Sequence, residues 1–132
     1  MPSEPRWIDL EVVAQLNAEA VRRTGEPYGL RDEGLLGSAV AAPANHFFYE
    51  GEDDVVVLAA VLIAAIARNH PFQQGNKRTA FAAAVAFLDI NGFLLTADTE
   101  AFADLLAAVL ERRSDVDELA AAMGAHVTMI QD

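Results

Sequence analysis

The chain has 132 residues, of which 53% are hydrophobic and 22% are charged, and 9 basic against 20 acidic residues give a net charge of −11. This length is typical of a single domain, so we predict one domain over residues 1–132. The hydrophobic content excludes a disordered chain. The net charge argues against nucleic acid as a direct partner, because the overall field repels phosphate.

No targeting or membrane signal is visible. The chain has no cysteine, which is compatible with a reducing compartment. The N-terminal residues lack the basic segment and apolar core of a signal peptide. The longest apolar run, Val55–Ala67, is shorter than the ~20 residues that a membrane span needs. We therefore expect a cytoplasmic protein with no membrane partner.

The first half of the chain predicts two helices and an aromatic segment. Apolar spacing predicts a helix at about residues 9–23, which Gly25 stops, and a loop follows at residues 26–30. Residues 31–42 predict a second helix that ends before Pro43. Residues 45–54 are first aromatic and then acidic, and we expect a short hairpin or flap there.

The second half begins with two nearly all-apolar helices, Val55–Asn69 and Asn76–Ile90. A helix that is apolar all round is buried, so the six residues between them predict an antiparallel hairpin through the core. Asn91 and Gly92 end the second of these helices. Two further helices are predicted, one over about residues 99–112 and one that begins after Ser114. The chain is thus predicted to be an all-α bundle of about six helices, with strand content confined to the aromatic segment.

Polar residues join the two buried helices, and residues 68–79 read RNHPFQQGNKRT. Pro71 biases His70 away from the helical conformation. Gly75 allows close approach of a ligand, and Asn76 can cap the helix that follows. The free N–H groups at the start of that helix favour an anion.

The charge of this segment opposes that of the whole chain. Between Val55 and Leu88 there is no acidic residue, but there are three cations, Arg68, Lys77 and Arg78. Cations in the first turn of a helix interact unfavourably with its dipole. A bound polyphosphate would reverse that effect, so the segment predicts a nucleotide pocket.

Residues 70–78, HPFQQGNKR, resemble the Fic/Doc signature His-x-Phe-x-(Asp/Glu)-(Gly/Ala)-Asn-(Gly/Lys)-Arg. Lys77, followed by Thr79 and Ala80, is similar to the Doc (death-on-curing) branch. Typical Fic enzymes have Gly there and a second Arg where this chain has Phe81. Residues 29–36, GLRDEGLL, also resemble the family's first half, and the resemblance extends over about residues 10–123. It implies a Fic/Doc-like bundle.

The resemblance implies roles for the residues of the signature. His70 would be the catalytic general base on a target hydroxyl, a role that suits an imidazole. Phe72 would anchor the loop in the core. ATP would be the donor, and its phosphates would lie at the helix start, bound by Gly75, Asn76, Lys77 and Arg78. Lys77 fills the room that Gly leaves in Fic enzymes, which favours transfer of the terminal phosphate over transfer of AMP.

Gln74 departs from the signature. The family has Asp or Glu at this position, where the carboxylate binds Mg²⁺ beside the phosphates. A neutral amide oxygen is a weaker ligand for this hard ion, so Gln74 is a doubtful metal ligand and the nucleotide would carry most of the coordination. We expect weak but real activity.

The resemblance also implies partners. Doc-type toxins transfer phosphate to a Thr of elongation factor Tu and arrest translation, and an antitoxin inhibits them. The family's self-inhibitory motif, Ser/Thr-x-x-x-Glu-Gly/Asn, is absent from the sequence, so inhibition would come from an antitoxin in trans, whose amphipathic segment docks in a groove. The alternatives are a Fic-type adenylyltransferase and a catalytically weakened antitoxin-binding module.

The aromatic segment lies where the family has a flap that holds the target. Its residues Asn45, Phe47, Phe48 and Tyr49 would then bind the target as an added strand. The alternative is a loop whose two phenylalanines pack under the core. The single tryptophan, Trp7, is expected to anchor the N-terminal segment by packing.

Overall fold

The computed structural model describes residues 3–96 and 116–130, together with Asp104 and Ala107. Four helices come first: α1 (Leu10–Thr24), α2 (Glu33–Glu50), α3 (Val55–Asn69) and α4 (Asn76–Ile90). Strand β1 (Phe93–Leu95), helix α5 (Val116–Gly124) and strand β2 (Val127–Met129) follow. The predicted mostly helical bundle is confirmed, and none of the described helices is long and apolar enough to cross a membrane.

Helix α3 lies at the centre of the bundle. It packs against α2, α4 and α5, and most of its residues are buried. Helix α4 runs antiparallel to it and buries one face. The predicted hairpin is confirmed with the predicted bounds. Helix α3 is buried on nearly every side, as expected of an all-apolar helix, whereas α4 buries only one face.

Helix α2 does not end before Pro43, so that prediction is wrong. The helix continues to Glu50 and ends at Gly51, which has a left-handed conformation. Leu36, Ala39 and Pro43 are buried on one face of it. A proline inside a helix costs about 3 kcal/mol because it removes one hydrogen bond. Packing of this continuous face against α3 outweighs that local penalty.

The predicted hairpin or flap at residues 45–54 is also wrong, because residues 45–50 are the last turns of α2. The aromatic rings there pack on the N-terminal segment: Trp7 contacts Phe47 with centroids 5.7 Å apart and stacks on Phe87 at 6.1 Å. The role of Trp7 as a packing anchor is confirmed. Phe87 lies eleven residues after the start of α4, so this cluster is about 16 Å along the helix from the signature loop. The flap candidates Asn45, Phe47, Phe48 and Tyr49 are therefore not beside that loop.

The strands of the described part lie elsewhere than predicted. β1 and β2 pair antiparallel, with Phe93 opposite Met129 and Leu95 opposite Val127. The helix predicted after Ser114 is confirmed as α5. The helix predicted over residues 99–112 lies outside the described residues, apart from Asp104 and Ala107, which are helical.

Candidate active site

His70 ends α3 in an unusual backbone conformation. Its φ of 50° is the one positive φ of a non-glycine residue in the described part of the chain. A left-handed residue with a side chain is strained, and such strain concentrates at functional sites. The side chain is exposed at this end of the bundle.

The ring of His70 has a defined orientation. Its Nδ1 lies 2.7 Å from the carbonyl oxygen of Ala67. A carbonyl can only accept, so Nδ1 carries a proton and donates it in this hydrogen bond. In the neutral ring, Nε2 is then the nitrogen with a free lone pair. The geometry thus leaves Nε2 able to accept a proton from a ligand, as general-base chemistry needs.

An extended segment from the α1–α2 connection pairs with the signature loop. Gln73 donates its N–H to the carbonyl of Gly29 at 2.9 Å, and Arg31 donates its N–H to the carbonyl of Pro71 at 2.7 Å. Leu30 and Phe72 form an antiparallel bridge between them. The segment therefore lies directly beside His70.

Phe72 and Asn76 hold the loop in the core. Phe72 is 1% exposed, which confirms its predicted role as an anchor. The Asn76 side chain accepts from the N–H of Phe72 at 3.0 Å and donates to its carbonyl at 2.8 Å. Gly75, with a φ of 75°, is the N-cap of α4, so the prediction that Asn76 caps this helix is wrong. The Asn76 side chain faces inward, and only its backbone N–H is available to an anion.

Helix α1 supports the loop from the other side. Asn17, which is fully buried, donates to the carbonyl of Gln74 at 2.8 Å and to the hydroxyl of Thr79 at 3.0 Å. A Cβ at Gly75 would lie 3.3 Å from Cγ1 of Val21 and 3.4 Å from Nδ2 of Asn17. Only glycine fits this cradle without moving a neighbour.

Arg78 is held at the C-terminal end of α1. Its guanidinium donates to the carbonyl of Ala20 at 3.0 Å and to the hydroxyl of Thr24 at 3.1 Å, and it forms an ion pair with Glu26. The hydrogen bond from Thr24 and then the nearby Arg78 hold the pKa of the Glu26 carboxyl below its usual range. Glu26 thus supplies a negative charge to the predicted positive patch, and it competes with an anion for Arg78.

The start of α4 fits a phosphate group. The backbone N–H groups of the first turn have no acceptor within the helix, and Lys77 is exposed with no partner among the described residues. The same loop is a poor ligand for magnesium. Gln74 offers a neutral amide oxygen where the family signature has a carboxylate, so the nucleotide phosphates would supply most of the coordination.

The signature residues His70, Gly75, Lys77 and Arg78 lie along the connection between α3 and α4 and the first turn of α4. The structure also adds three residues that the sequence did not predict: Arg31, Asn17 and Glu26. The position of Asn17 in the sequence could have indicated its role, because this polar residue lies between Val13 and Val21 on the apolar face of α1. No pattern marked Glu26, which lies in a loop.

A model of the Fic/DOC family matches residues 7–88 of the chain. The chain belongs to the Fic/Doc family. Its resemblance to the Doc branch is confirmed by two relatives. "Toxin Doc" of Mycolicibacterium smegmatis is 39% identical over 128 residues, which cover 95% of this chain and 96% of that protein. "Protein kinase doc" of Escherichia phage P1 is 32% identical over 100 residues, which cover 76% of this chain and 79% of that protein.

Proposed function

We propose that this Fic/Doc protein is the toxin of a toxin–antitoxin pair and transfers the terminal phosphate of ATP to a Ser or Thr hydroxyl of a translation factor similar to elongation factor Tu. The names of the two relatives, a toxin and a protein kinase, support this class of activity. The observation that carries the proposal is the orientation of His70. Its Nδ1–H is bound to Ala67, which leaves Nε2 free on the loop that leads to the start of α4.

The proposed reaction assigns one step to each residue. Nε2 of His70 accepts the proton of the target hydroxyl. The hydroxyl oxygen forms a bond to the terminal phosphorus of ATP, and ADP leaves with the bridging oxygen. Lys77 and the N–H groups of the first turn of α4 stabilise the negative charge on the transferring phosphoryl group. Arg78 joins them when the phosphates displace Glu26.

The target approaches along the extended segment beside the loop. Gly29 and Arg31 point their pairing groups toward the signature loop, and the alternation of an extended chain places the N–H and carbonyl of Leu30 on the other side. Tyr28 and Leu30 expose apolar surface there. An extended target strand added at this edge would present a hydroxyl beside His70.

Lys77 favours phosphoryl transfer over the adenylyl transfer of Fic-type enzymes, because its side chain occupies the helix start where those enzymes have Gly. The test is incubation of the purified protein and elongation factor Tu with ATP labelled at either the terminal or the α-phosphate. We expect label from the terminal phosphate alone, and none with His70→Ala. Label from the α-phosphate would instead support an adenylyltransferase, and full transfer by His70→Ala would refute the general-base role.

Gln74 favours a second candidate, a catalytically weakened module kept for antitoxin binding. Gln74 is neutral at the position where the family signature has a carboxylate. Measurement of the phosphate-transfer rates of Gln74→Asp and the natural chain decides whether the natural chain transfers phosphate slowly or not at all. We expect a higher rate with the carboxylate. Equal and high rates in both would show that position 74 does not limit the reaction, and no transfer in either would support the silent module.

The antitoxin segment has a candidate groove. A cavity of about 420 Å³ lies between α1, α4 and β1 and is lined mainly by apolar side chains, among them Leu16, Val85 and Leu94. It suits the apolar face of an amphipathic helix. The acidic chain favours a basic segment, so high salt should weaken the complex. Leu94→Arg should reduce antitoxin binding without loss of transfer, whereas the distant Tyr49→Ala should change neither.

A further inference from the structure

We propose that Arg31 is a positioning residue that holds His70 in the conformation needed for proton transfer. The catalytic consequence rests on the proposed function, but the structural coupling between the two residues can be measured without any activity. Arg31 lies in the extended segment that connects α1 to α2, 39 residues before His70 in the chain.

Arg31 binds three consecutive carbonyl groups around His70. Its Nε donates to the carbonyl of His70 at 2.7 Å and its Nη2 to that of Asn69 at 2.9 Å. Its backbone N–H donates to the carbonyl of Pro71 at 2.7 Å. These carbonyls lie at and just after the end of α3, where a helix leaves its last acceptors without partners. Arg31 therefore binds the backbone on both sides of the catalytic side chain.

This contact opposes the strain at His70. His70 adopts the left-handed conformation as the C-cap of α3, just before Pro71, and a residue with a side chain disfavours this conformation. The fork of the guanidinium fixes the relative orientation of two successive carbonyls, and its charge complements the negative end of the α3 dipole. Held this way, the backbone places the ring where Nδ1 reaches Ala67.

Other contacts hold the surrounding segments without this side chain. The His70 N–H donates to Ile66, and the Asn69 side chain donates to Leu35. The backbone N–H of Arg31 and that of Asp32 both donate to Pro71 and need no guanidinium. Truncation of the Arg31 side chain therefore removes its bonds to residues 69 and 70 and leaves the two segments paired. The effect of this truncation therefore reports on the orientation of His70 and not on the pairing of the two segments.

The first readout is the protonation of the His70 ring. In the full-length chain at alkaline pH, where imidazole is neutral, ¹⁵N NMR of the ring nitrogens should show His70 protonated at Nδ1, because the hydrogen bond made by one nitrogen sets the tautomer. Arg31→Ala should convert this signal to a mixture of the two tautomers. The three histidines are distinguished by comparison with the spectrum of His70→Ala.

The second readout is kinetic. Arg31→Ala should lower kcat by about 10- to 100-fold, as loss of a partner that orients a functional side chain does, while the KM for ATP changes less than about twofold because the phosphate-binding turn is untouched. Arg22→Ala is the matched control, since Arg22 pairs with Glu19 on the exposed face of α1. It should alter neither the ring signal nor kcat.

The outcomes separate this inference from the proposed function. An unchanged Nδ1 signal in Arg31→Ala overturns the positioning role whatever the activity is. A changed signal together with unaltered transfer also overturns it and counts against His70 as the base, which His70→Ala tests independently. If Arg31→Ala does not fold by circular dichroism, Arg31→Lys is judged by the same criteria. It keeps the charge but lacks the planar fork, so a shifted tautomer ratio supports the role and an unchanged ratio overturns it.

Discussion

Asn76 connects the stability of the signature loop with its function. Its side chain is 7% exposed and binds both the N–H and the carbonyl of Phe72. Asn76→Ala would leave both of these groups without a partner in the packed loop. An unsatisfied buried polar group costs about 1–3 kcal/mol, so the two together should lower the free energy of unfolding by about 3 kcal/mol. For a domain of this size, that corresponds to a fall in Tm of about 10 °C.

The assay is urea unfolding of Asn76→Ala beside Lys77→Ala. Lys77 is exposed and unpaired among the described residues, so its replacement should change the free energy of unfolding by less than about 0.5 kcal/mol. ATP affinity should show the opposite pattern. Lys77→Ala should lose ATP affinity although the protein stays fully folded, whereas the main effect of Asn76→Ala should be on stability. If Asn76→Ala keeps its stability and loses ATP affinity directly, the side chain leaves Phe72 to bind phosphate, and the reasoning is refuted.

Three further predictions follow from the same geometry. Glu26→Gln should strengthen ATP binding, since Arg78 loses its competing carboxylate. Because the pKa of Glu26 is lowered in the folded protein, this carboxylate stabilises the fold at neutral pH, and the stabilisation is lost as the pH falls through that pKa. In acid unfolding, the stability of Glu26→Gln should therefore fall less with pH than that of the natural chain. Gly75→Ala should destabilise more than Gly25→Ala, since both glycines have a φ of 75° but only Gly75 has close neighbours; equal urea midpoints would contradict this. Tyr49→Ala, at a side chain 86% exposed and far from the loop, should leave transfer and stability unchanged.

The helical core could be predicted because its signal is local. Every side of α3 is apolar, so burial and the hairpin with α4 follow from composition alone. The end of α2 could not be predicted, since Pro43 is a strong local stop signal that only packing against α3 overrides. The strands Phe93–Leu95 and Val127–Met129 are three residues each, too short for an alternating pattern to distinguish them from loop.

The residues of the candidate site also fall into a part that the sequence predicts and a part that it does not. The signature predicts the candidate catalytic loop, because residues 70–78 are contiguous. Its supports are distant in sequence: Asn17 contacts Gln74 across 57 positions and Arg31 contacts His70 across 39. No periodicity or spacing rule relates such residues, and only the packing of α1 and its connection against the hairpin brings them to the loop.

The stacking of Trp7 on Phe87 gives the protein a built-in optical probe. Trp7 is the single tryptophan of the chain. The side chain of Asn91 holds the neighbouring residue Arg6 by two hydrogen bonds, accepting from its backbone N–H at 2.8 Å and donating to its carbonyl at 3.0 Å. Intrinsic fluorescence therefore reports whether the N-terminal segment is docked at the far end of α4. Nucleotide added to the folded protein should leave this emission unaltered, whereas detachment of the segment should shift it to the red before the helices melt.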